Sequence, residues 1–389
     1  MSTRHTLVLP LFRPNLDVTF KGWMGGAIYL ENLARVLSLL EPARRPRVLV
    51  STDGAIDTPV VRALFRHDAV DGVFRTDGAP LALKPGLFAE VVTGTQPDAA
   101  RIDALIGAAA AVFPVFRTVY NPPRALHWIP DFQHKHLPGM FDADELARRD
   151  ADFSAMAYAR KFLLLSSRTA AADLAQFYPG ATARVFVWPF ASALDPAAAP
   201  LVDPRPRYGL PAKYLFAPNQ FWKHKDHLTL FRAVAALRTR GVDVTLACTG
   251  QASDFRHPAY FAELQSFVVE RGLAESIRFL GMVSPDDLLS LTRFAAAVVQ
   301  PSLFEGWSTV VEDAKAVGRP LILSDLDVHR EQGEGLDGFH FFARGNPDDL
   351  SNAIARLWPQ LAPGPDPAAE HEARVRKTDR DRVSAQGFA

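Results

Sequence analysis

The chain has 389 residues, of which 48% are apolar and 22% charged, the composition of an ordinary globular protein. Its 43 basic and 43 acidic residues give a net charge of zero, which argues against the broad basic surface of a dedicated nucleic-acid-binding protein. We therefore expect no nucleic-acid partner. At roughly 150 residues per domain, this length predicts two domains.

The single cysteine, Cys248, excludes an intramolecular disulfide and a multi-cysteine zinc site. It lies in the apolar run 244–248, which favours an inert core thiol over a nucleophile. The N-terminal apolar stretch is too short for a secretory signal, and the longest apolar run, 104–116, falls short of the roughly 20 residues that span a bilayer. We expect a soluble, cytoplasmic protein, at most peripheral at the inner membrane face.

Short apolar runs alternate with amphipathic segments along the chain. Runs that are apolar on both faces are typical of buried parallel strands, and the amphipathic segments between them predict helices. This alternation indicates an α/β fold with two doubly wound, Rossmann-like domains. The predicted strands are 6–11, 47–51, 162–166, 185–188, 214–217, 244–249, 295–300 and 321–324, and the predicted helices are 28–40, 228–238, 258–271 and 309–317.

A proline-rich stretch near the middle of the chain predicts a linker, because proline interrupts both helices and strands. We place an N-terminal domain at 1–195, the linker at 196–212 and a C-terminal domain at 213–369. The charged, mildly helical segment 370–389 is a candidate for packing back on the first domain. A ligand is expected between the domains, at the carboxyl ends of the strands.

The segment 301–314 carries the strongest signal for a binding site. A predicted strand ends at Gln300, a loop carries Glu305, and a helix begins near Thr309. The free N–H groups and partial positive charge of that helix end suit a phosphate, which makes Thr309 and Val310 candidates for phosphate binding. A carboxylate on the loop suits hydroxyl groups instead, since two anions repel each other. Glu305 is therefore a candidate for binding a sugar.

This segment resembles the carboxylate-loop-carboxylate motif of retaining glycosyltransferases of family 4, which have the GT-B fold of two Rossmann-like domains facing across a cleft. In that family two glutamates are separated by seven residues; the first contacts the donor sugar and the second the nucleotide ribose. Glu305 matches the first position. Asp313 stands at the second and is one methylene shorter than glutamate. The adjacent Glu312 is a rival, although its spacing from Thr309 also suits a capping box.

A second motif is the basic loop that follows the predicted strand 214–217. A lysine at this place can neutralise a diphosphate leaving group when no metal is bound. In the resembled family the loop carries an arginine and, five residues later, a lysine, both on the donor diphosphate. Lys225 matches the lysine, but Gln220 stands where arginine is usual, which weakens the charge clamp unless Lys223 substitutes. A solvated basic turn is the alternative interpretation.

Two glycines, Gly25 and Gly26, lie between the first predicted strand and the first predicted helix. Glycine permits close backbone approach to a ligand and positive φ angles, but the spacing is not that of dinucleotide-binding proteins. The segment 22–26 resembles the glycine loop that faces the donor phosphate and the acceptor in GT-B enzymes. An ordinary tight turn is the alternative.

The segment 127–138 is rich in histidine, but no partner cluster with metal-ligand spacing accompanies it, so we expect no metal and no cofactor. It resembles the first-domain loop that supplies an active-site histidine near the donor sugar in this family. His134 is the first choice for that catalytic residue and His136 the second. A histidine with a purely structural or surface role is the alternative for each.

In the second half, the segment 279–284 resembles the part of the family fold that receives the nucleotide base, which assigns Gly281 and Met282 to donor binding. The sequence lacks the G-x-S-x-G elbow of α/β-hydrolases and the P-loop of nucleotide triphosphatases. Hydrolase and P-loop chemistry therefore have no support.

The resemblance implies a retaining glycosyltransferase of the hexosyltransferase type. It would move a sugar from a nucleotide-diphosphate sugar to a hydroxyl of a glycan, lipid-linked or small-molecule acceptor in polysaccharide or glycoconjugate assembly. Glu305 and His134 would orient the sugar and stabilise positive charge at its anomeric carbon. Two other functions stay open: a catalytically idle subunit that binds a nucleotide sugar or a glycan, and a GT-B nucleotide-sugar epimerase.

Overall fold

The computed structural model of the chain shows two compact units. The first comprises Met1–Lys135, Asp142–Ala193 and Thr378–Ala389, and the second comprises His136–Phe141 and Leu194–Lys377. The residues that the structure describes are 5–11, 24–52, 64–75, 88–91, 107–118, 121–194, 196 and 201–389.

The first unit is built around one parallel sheet. Its described strands are β1 (Thr6–Leu11), β2 (Arg47–Thr52), β3 (Val70–Arg75), β4 (Phe88–Val91), β5 (Ala111–Val115), β6 (Ala125–Ile129), β7 (Phe162–Leu165) and β8 (Arg184–Val187). Its described helices are α1 (Met24–Ser38), α2 (Gln133–His136), α3 (Ala143–Ala157) and α4 (Arg168–Phe177). The 3₁₀ turn Pro138–Met140, which follows α2, belongs to the second unit. The strand order is β4-β3-β2-β1-β5-β6-β7-β8, and all registered pairs are parallel.

Aromatic side chains fill part of the core of this unit. Tyr29 of α1 stacks on Trp128 of β6 with ring centroids 4.1 Å apart, and its hydroxyl donates to the carbonyl of Trp188 at 2.8 Å. The hydroxyl thereby keeps a partner although the side chain is fully buried. Ser167 caps α4 by accepting from the N–H of Ala170.

The second unit has a smaller parallel sheet. Its strands are β9 (Leu215–Pro218), β10 (Leu246–Thr249), β11 (Ile277–Gly281), β12 (Ala297–Gln300), β13 (Leu321–Ser324) and β14 (Phe339–Phe342). Its helices are α5 (Arg205–Tyr208), α6 (His227–Thr239), α7 (Tyr260–Glu270), α8 (Pro285–Phe294), α9 (Thr309–Ala316), α10 (Asp327–Gly333) and α11 (Pro347–Leu357), with the 3₁₀ turn Lys223–Lys225 before α6. The chain ends in the long helix α12 (Pro367–Phe388).

The strand order of the second sheet is β11-β10-β9-β12-β13-β14, which is the doubly wound order of dinucleotide-binding folds. β9 and β12 are neighbours in the sheet, although β10 and β11 separate them in sequence. The chain therefore reverses its winding direction between these two strands, and the crevice outside their carboxyl ends is where such sheets bind ligands. The predicted fold class of two parallel, Rossmann-like α/β domains is confirmed.

Helix α12 contributes to both units. Within the second unit, Glu370 forms a bidentate ion pair with Arg293, with Nη2 and Oε2 2.7 Å apart. Within the first unit, Asp381 pairs with Arg35 of α1 at 2.6 Å, and the Phe388 ring lies 5.3 Å from that of Trp188. The last turns of the chain therefore complete the core of the first unit.

Candidate active site

The winding reversal in the second unit brings two of the predicted site residues into contact. Lys225 ends the 3₁₀ turn that follows β9, and Glu305 lies on the loop between β12 and α9. Lys225 Nζ donates to Glu305 Oε1 at 2.6 Å, and their side chains are 18% and 7% exposed. The two residues that the sequence proposed for the diphosphate and for the sugar thus form one largely buried ion pair.

The hydrogen bonds to Glu305 all fall on one carboxylate oxygen. Besides Lys225, the amide Nε2 of Gln300 and the hydroxyl of Ser302 donate to Oε1, each at 2.6 Å. The other oxygen, Oε2, accepts no hydrogen bond from a described residue. Glu305 is therefore held firmly through one oxygen, while the second can accept from the hydroxyl of a ligand.

The charge of Glu305 is stabilised despite its burial. Burial, the largest single effect, would raise the pKa of this carboxyl, but the charge and hydrogen bond of Lys225 together with His329 and His224 outweigh it and lower the pKa to about 2. The imidazole of His224 is itself neutral near pH 7, because burial and the same ammonium lower its pKa to about 3. Glu305 is consequently an ionised carboxylate at neutral pH.

Helix α9 begins at Thr309, as predicted. Its N-cap is Ser308, whose hydroxyl accepts from the N–H of Val311, so the capping box considered for Thr309 and Glu312 is wrong. The N–H groups of Thr309 and Val310 have no partner within the helix because they belong to its first turn. This helix end therefore offers free donors and a partial positive charge close to the Glu305 loop.

The two acidic residues that compete for the second motif position have different surroundings. Glu312 is fully buried, and its Oε1 accepts from Lys315 Nζ at 2.9 Å and from Gln332 Nε2 at 3.0 Å. Asp313 is half-buried. Because Asp313 is the less buried of the two, it is the more accessible to a ligand.

Two further predicted donor-binding residues lie on the loop before α6. Gln220 is half-buried, and its carbonyl accepts from the N–H of Trp222 at 2.8 Å. Lys223 is anchored through its backbone N–H, which donates to Asp254 Oδ2 at 2.9 Å, whereas its side chain is exposed. Its ammonium makes no ion pair with any residue that the structure describes, so it is available to an anion.

Gly250 carries a constraint that the sequence did not reveal. It follows β10 with φ +142°, and a Cβ atom at this position would lie 2.2 Å from the carbonyl oxygen of Asn219. Any side chain here would therefore push away the backbone of the loop that leads to Lys225. A glycine at a strand end was the visible signal, but only the packing shows why it is required.

Gln300 and Ser302 were also not assigned a role from the sequence. Both are fully buried, and both donate to Glu305. The available signal was a polar residue at the end of an otherwise apolar strand, since a buried amide must find hydrogen-bond partners.

The predicted base-binding residues lie at the end of β11. Gly281 has φ +69°, and its carbonyl accepts from the N–H of Gly250 at 3.0 Å. Met282 follows with a side chain that is 66% exposed, which is uncommon for a residue of this size and polarity. Both residues thus lie at the carboxyl ends of the strands, as does Lys225. Their contact with a nucleotide base stays a prediction.

The predicted glycine loop differs from the structure. Helix α1 begins at Met24, so Gly25 and Gly26 lie in its first turn and not in a loop before residue 28. The expectation of a loop is therefore wrong at these two positions, because two glycines at a helix start do not prevent the first turn from forming. Gly22 and Trp23 lie outside the described residues.

The predicted catalytic histidine His134 belongs to the first unit, where its side chain is fully buried. Its Nε2 lies 3.1 Å from Oδ1 of Asp150, which also accepts from Lys135 Nζ and from the hydroxyl of Tyr178. Burial lowers the pKa of the imidazole. These contacts fit the structural alternative for this residue, and its catalytic role stays a prediction.

The second choice, His136, belongs to the second unit and is exposed. Its ring lies 5.0 Å from that of Phe304, the residue directly before Glu305. The structure therefore places His136 beside the Glu305 loop.

Other features of the sequence take no part in this site. Cys248 is buried in β10, where burial raises the pKa of its thiol. Among the described residues, no three metal-ligating side chains form a cluster that could hold an ion. No described helix combines the length and the apolar character needed to cross a membrane.

Comparison with known families connects this geometry to an enzyme class. Residues 212–360 match the model of the family described as Glycosyl transferases group 1. The matched residues include Lys225, Glu305 and the whole of α9, and the predicted resemblance to a glycosyltransferase family is confirmed over this part of the chain.

Individual relatives match only part of the chain. A D-inositol 3-phosphate glycosyltransferase of Salinispora tropica is 31% identical over 175 residues, which cover 41% of this chain and 36% of that protein. The match thus spans about a third of the length of these curated relatives: 36% of the Salinispora tropica protein and 38% of a Salinispora arenicola protein with the same name.

Solved structures match the fold over nearly the whole chain. Anabaena Alr3699/HepE, determined in complex with UDP and glucose, has a TM-score of 0.68 at 16% identity and covers 99% of this chain and 98% of its own. WaaG, a glycosyltransferase involved in lipopolysaccharide biosynthesis, has a TM-score of 0.57 at 13% identity and covers 98% and 95%. At this identity the similarity shows the fold, which is GT-B.

Proposed function

We propose that this protein is a retaining glycosyltransferase that transfers a sugar from a nucleotide-diphosphate sugar to an acceptor hydroxyl. The observation that carries the proposal is the contact between Lys225 and Glu305 at the winding reversal of the second unit. It joins a cation suited to a diphosphate with a carboxylate suited to sugar hydroxyls. A nucleotide sugar contains both groups, linked through the anomeric carbon.

The diphosphate would be held from two directions. The Lys225 ammonium donates one N–H to Glu305, and its other N–H groups have no acceptor among the described residues. The first-turn amides of α9 at Thr309 and Val310 supply further donors. Lys223, with its exposed ammonium, can supply the charge that Gln220 lacks compared with the arginine of the resembled family.

The remaining proposed donor contacts lie near the carboxyl ends of the strands of the same sheet. Asp313 would accept from the ribose hydroxyls, while Gly281 and Met282 would contact the base. The uridine nucleotides bound by Alr3699/HepE support a uridine diphosphate sugar as the first donor to test, with UDP-glucose among them. The role named for WaaG supports an acceptor in surface polysaccharide or glycolipid assembly.

The proposed chemistry is the one that the family resemblance implies, and this placement is compatible with it. The bond between the anomeric carbon and the diphosphate oxygen breaks, and the acceptor oxygen forms the new bond on the same face of the sugar. The acceptor proton passes to the departing diphosphate, whose negative charge Lys225 and the start of α9 stabilise. Glu305 accepts from sugar hydroxyls through Oε2 and stabilises positive charge at the anomeric carbon.

We propose further that the reaction needs no metal, because cationic side chains and a helix terminus can neutralise the leaving group. The location in the cytoplasm, with at most peripheral contact at the inner membrane face, remains a prediction. So does the participation of His134.

A thermal-shift screen with nucleoside diphosphates and nucleotide sugars, with and without magnesium, tests the donor site, since a ligand that binds only the folded state raises Tm. We expect a shift with one nucleotide family that does not depend on magnesium. With that donor, release of nucleoside diphosphate should require an acceptor, and NMR of the product should show the anomeric configuration of the donor.

Other results would favour the rival functions. Binding without turnover across a broad acceptor panel would favour an idle binding subunit, and release of nucleotide without an acceptor, together with an altered sugar, would favour an epimerase. Full turnover by both Glu305→Gln and Lys225→Ala would contradict the site assignment.

A further inference from the structure

The amide of Gln300 connects the two loops of the candidate site. Gln300 is the last residue of β12, and its side chain is fully buried. Its Nε2 donates to Glu305 Oε1 at 2.6 Å and to the hydroxyl of Ser302 at 3.0 Å. Its Oε1 accepts from Nδ2 of Asn219 at 2.6 Å. The side chain is thus engaged at both ends of its amide.

The chemistry of Glu305 fixes the direction of this amide. An ionised carboxylate can only accept hydrogen bonds, so the NH₂ group of Gln300 must face Glu305 and its carbonyl oxygen must point away. That oxygen then needs a donor, and Asn219, which follows the neighbouring strand β9, provides it. The Asn219 amide therefore selects the orientation of the Gln300 amide.

A main-chain hydrogen bond also links the same two loops. The N–H of Leu303 donates to the carbonyl of His224 at 2.8 Å, on the turn that ends at Lys225. The Lys225 loop and the Glu305 loop are therefore linked by a side-chain bridge and by a main-chain hydrogen bond. A buried, fully connected polar network of this kind restricts its members to one arrangement.

We propose that Gln300, oriented by Asn219, is a positioning residue that keeps Oε1 of Glu305 occupied and turns Oε2 toward the donor sugar. The inference rests on the proposed function, because it assigns to Glu305 the contact with the sugar. Gln300 itself touches no substrate in this scheme. It acts by limiting how the carboxylate can rotate.

Two substitutions of similar size test this role. Gln300→Met keeps most of the volume and removes all three hydrogen bonds of the side chain. Gln300→Glu keeps an acceptor for Asn219 but replaces the NH₂ donor that faces Glu305 with a carboxylate oxygen. We expect kcat to fall on the order of 10- to 100-fold in both variants, the usual effect of losing a hydrogen bond that orients a functional group. The exposed Gln360→Glu, which adds the same charge, serves as the control.

The pH profile separates positioning from simple structural damage. The charged and titratable groups facing Glu305 are Lys225, His329 and His224, and all three are retained in these variants. A carboxyl group placed beside the Glu305 carboxylate has a raised pKa, and once protonated it can again donate a hydrogen bond. Turnover by Gln300→Glu should therefore recover as the pH is lowered, while turnover by Gln300→Met should not.

Ligand affinity gives a readout that does not require turnover. Loss of positioning should weaken binding of the nucleotide sugar and leave binding of the nucleoside diphosphate unchanged, since Gln300 acts only on the group that meets the sugar. If the wild-type protein binds nucleotide sugars without transferring them, the proposed function fails, and this difference in affinity still tests Gln300.

The inference is overturned if folded Gln300→Met and Gln300→Glu keep the wild-type kcat, pH profile and preference for the nucleotide sugar. It is also overturned if both ligands lose affinity equally, because that result indicates general damage to the site. If either variant fails to fold, as judged by circular dichroism and Tm, Ser302→Ala removes another donor from the same oxygen. The same loss of preference for the nucleotide sugar is then expected, and unchanged preference overturns the inference.

Discussion

Lys225 and Glu305 are 80 residues apart in sequence, yet Nζ and Oε1 lie 2.6 Å apart. Each side chain lowers the cost of burying the other, because an unpaired charge in this position would be poorly solvated. The ammonium and the carboxylate already balance each other's charge before any ligand binds. A donor diphosphate therefore meets a lysine that is already oriented by the carboxylate meant for the sugar.

Glu305→Gln should separate binding from catalysis. The substitution preserves the size of the side chain but removes the negative charge that Lys225 now balances. We expect turnover to fall by roughly 100-fold or more, since stabilisation of charge in the transition state is lost. Affinity for the nucleoside diphosphate should be unchanged or higher, which isothermal titration calorimetry would measure. Weaker diphosphate binding would show that Lys225 needs Glu305 for its placement and not only for its charge.

The same pair predicts a pH dependence of stability. The pKa of Glu305 is lowered from 4.5 to about 2, so the ionised form is favoured in the folded protein. Its contribution to the free energy of unfolding is therefore fully present above about pH 4.5 and is lost as the pH falls toward about 2. Urea denaturation across this range should show the stability difference between wild type and Glu305→Gln shrinking with acidification. Glu275→Gln, at a position whose side chain is 85% exposed, should show no comparable trend.

Glu312 and Asp313 should give opposite phenotypes. Glu312→Gln disturbs a fully buried carboxylate bonded to Lys315 and Gln332, so we expect a loss of about 1–3 kcal/mol in stability. Asp313→Asn changes a half-buried side chain and should leave Tm nearly unchanged while weakening nucleotide binding about tenfold, equivalent to roughly 1.4 kcal/mol. If Glu312→Gln instead weakens nucleotide binding at constant Tm, the assignment of the ribose contact to Asp313 is wrong.

Gly250→Ala should damage both stability and donor binding. The new Cβ would lie 2.2 Å from the Asn219 carbonyl oxygen, and φ is +142°. We expect a destabilisation of about 2 kcal/mol or more and a weaker response to nucleotide, because the Lys225 loop must shift. Gly241→Ala is a matched control, since Gly241 has φ +73° but no atom within 4 Å of the added Cβ. It should cost only about 1 kcal/mol and leave the response to nucleotide intact.

The sheets could be predicted where a strand is a short, uniformly apolar run. The prediction at 321–324 coincides with β13, whose residues are all fully buried. β14 was not predicted, because its four residues include His340 and lie at the sheet edge, where one side is less buried. The apolar signal of a strand reports burial on both faces, and edge strands lack part of it.

The candidate site could be predicted only in part, because its contacts join residues that are far apart in sequence. Glu305 and Lys225 stand in recognisable motifs, but their contact depends on the neighbouring positions of β9 and β12, which local sequence does not encode. Gln300 had no motif at all. Its importance arises from the donors and acceptors that meet it after folding, and such long-range partners are not visible in a single sequence.

Helix α12 limits how the two halves of this protein can be separated. In its final turns, Asp381 pairs with Arg35 and Phe388 packs in the aromatic core around Trp188, although Arg35 lies near the start of the sequence and Trp188 near its middle. A fragment cut at the proline-rich linker would lack this packing and expose the Trp188 surface. The first unit is therefore built from both the N-terminal part of the chain and its last residues. A chimaera that exchanges the first unit with that of a related protein must also exchange the last turns of α12.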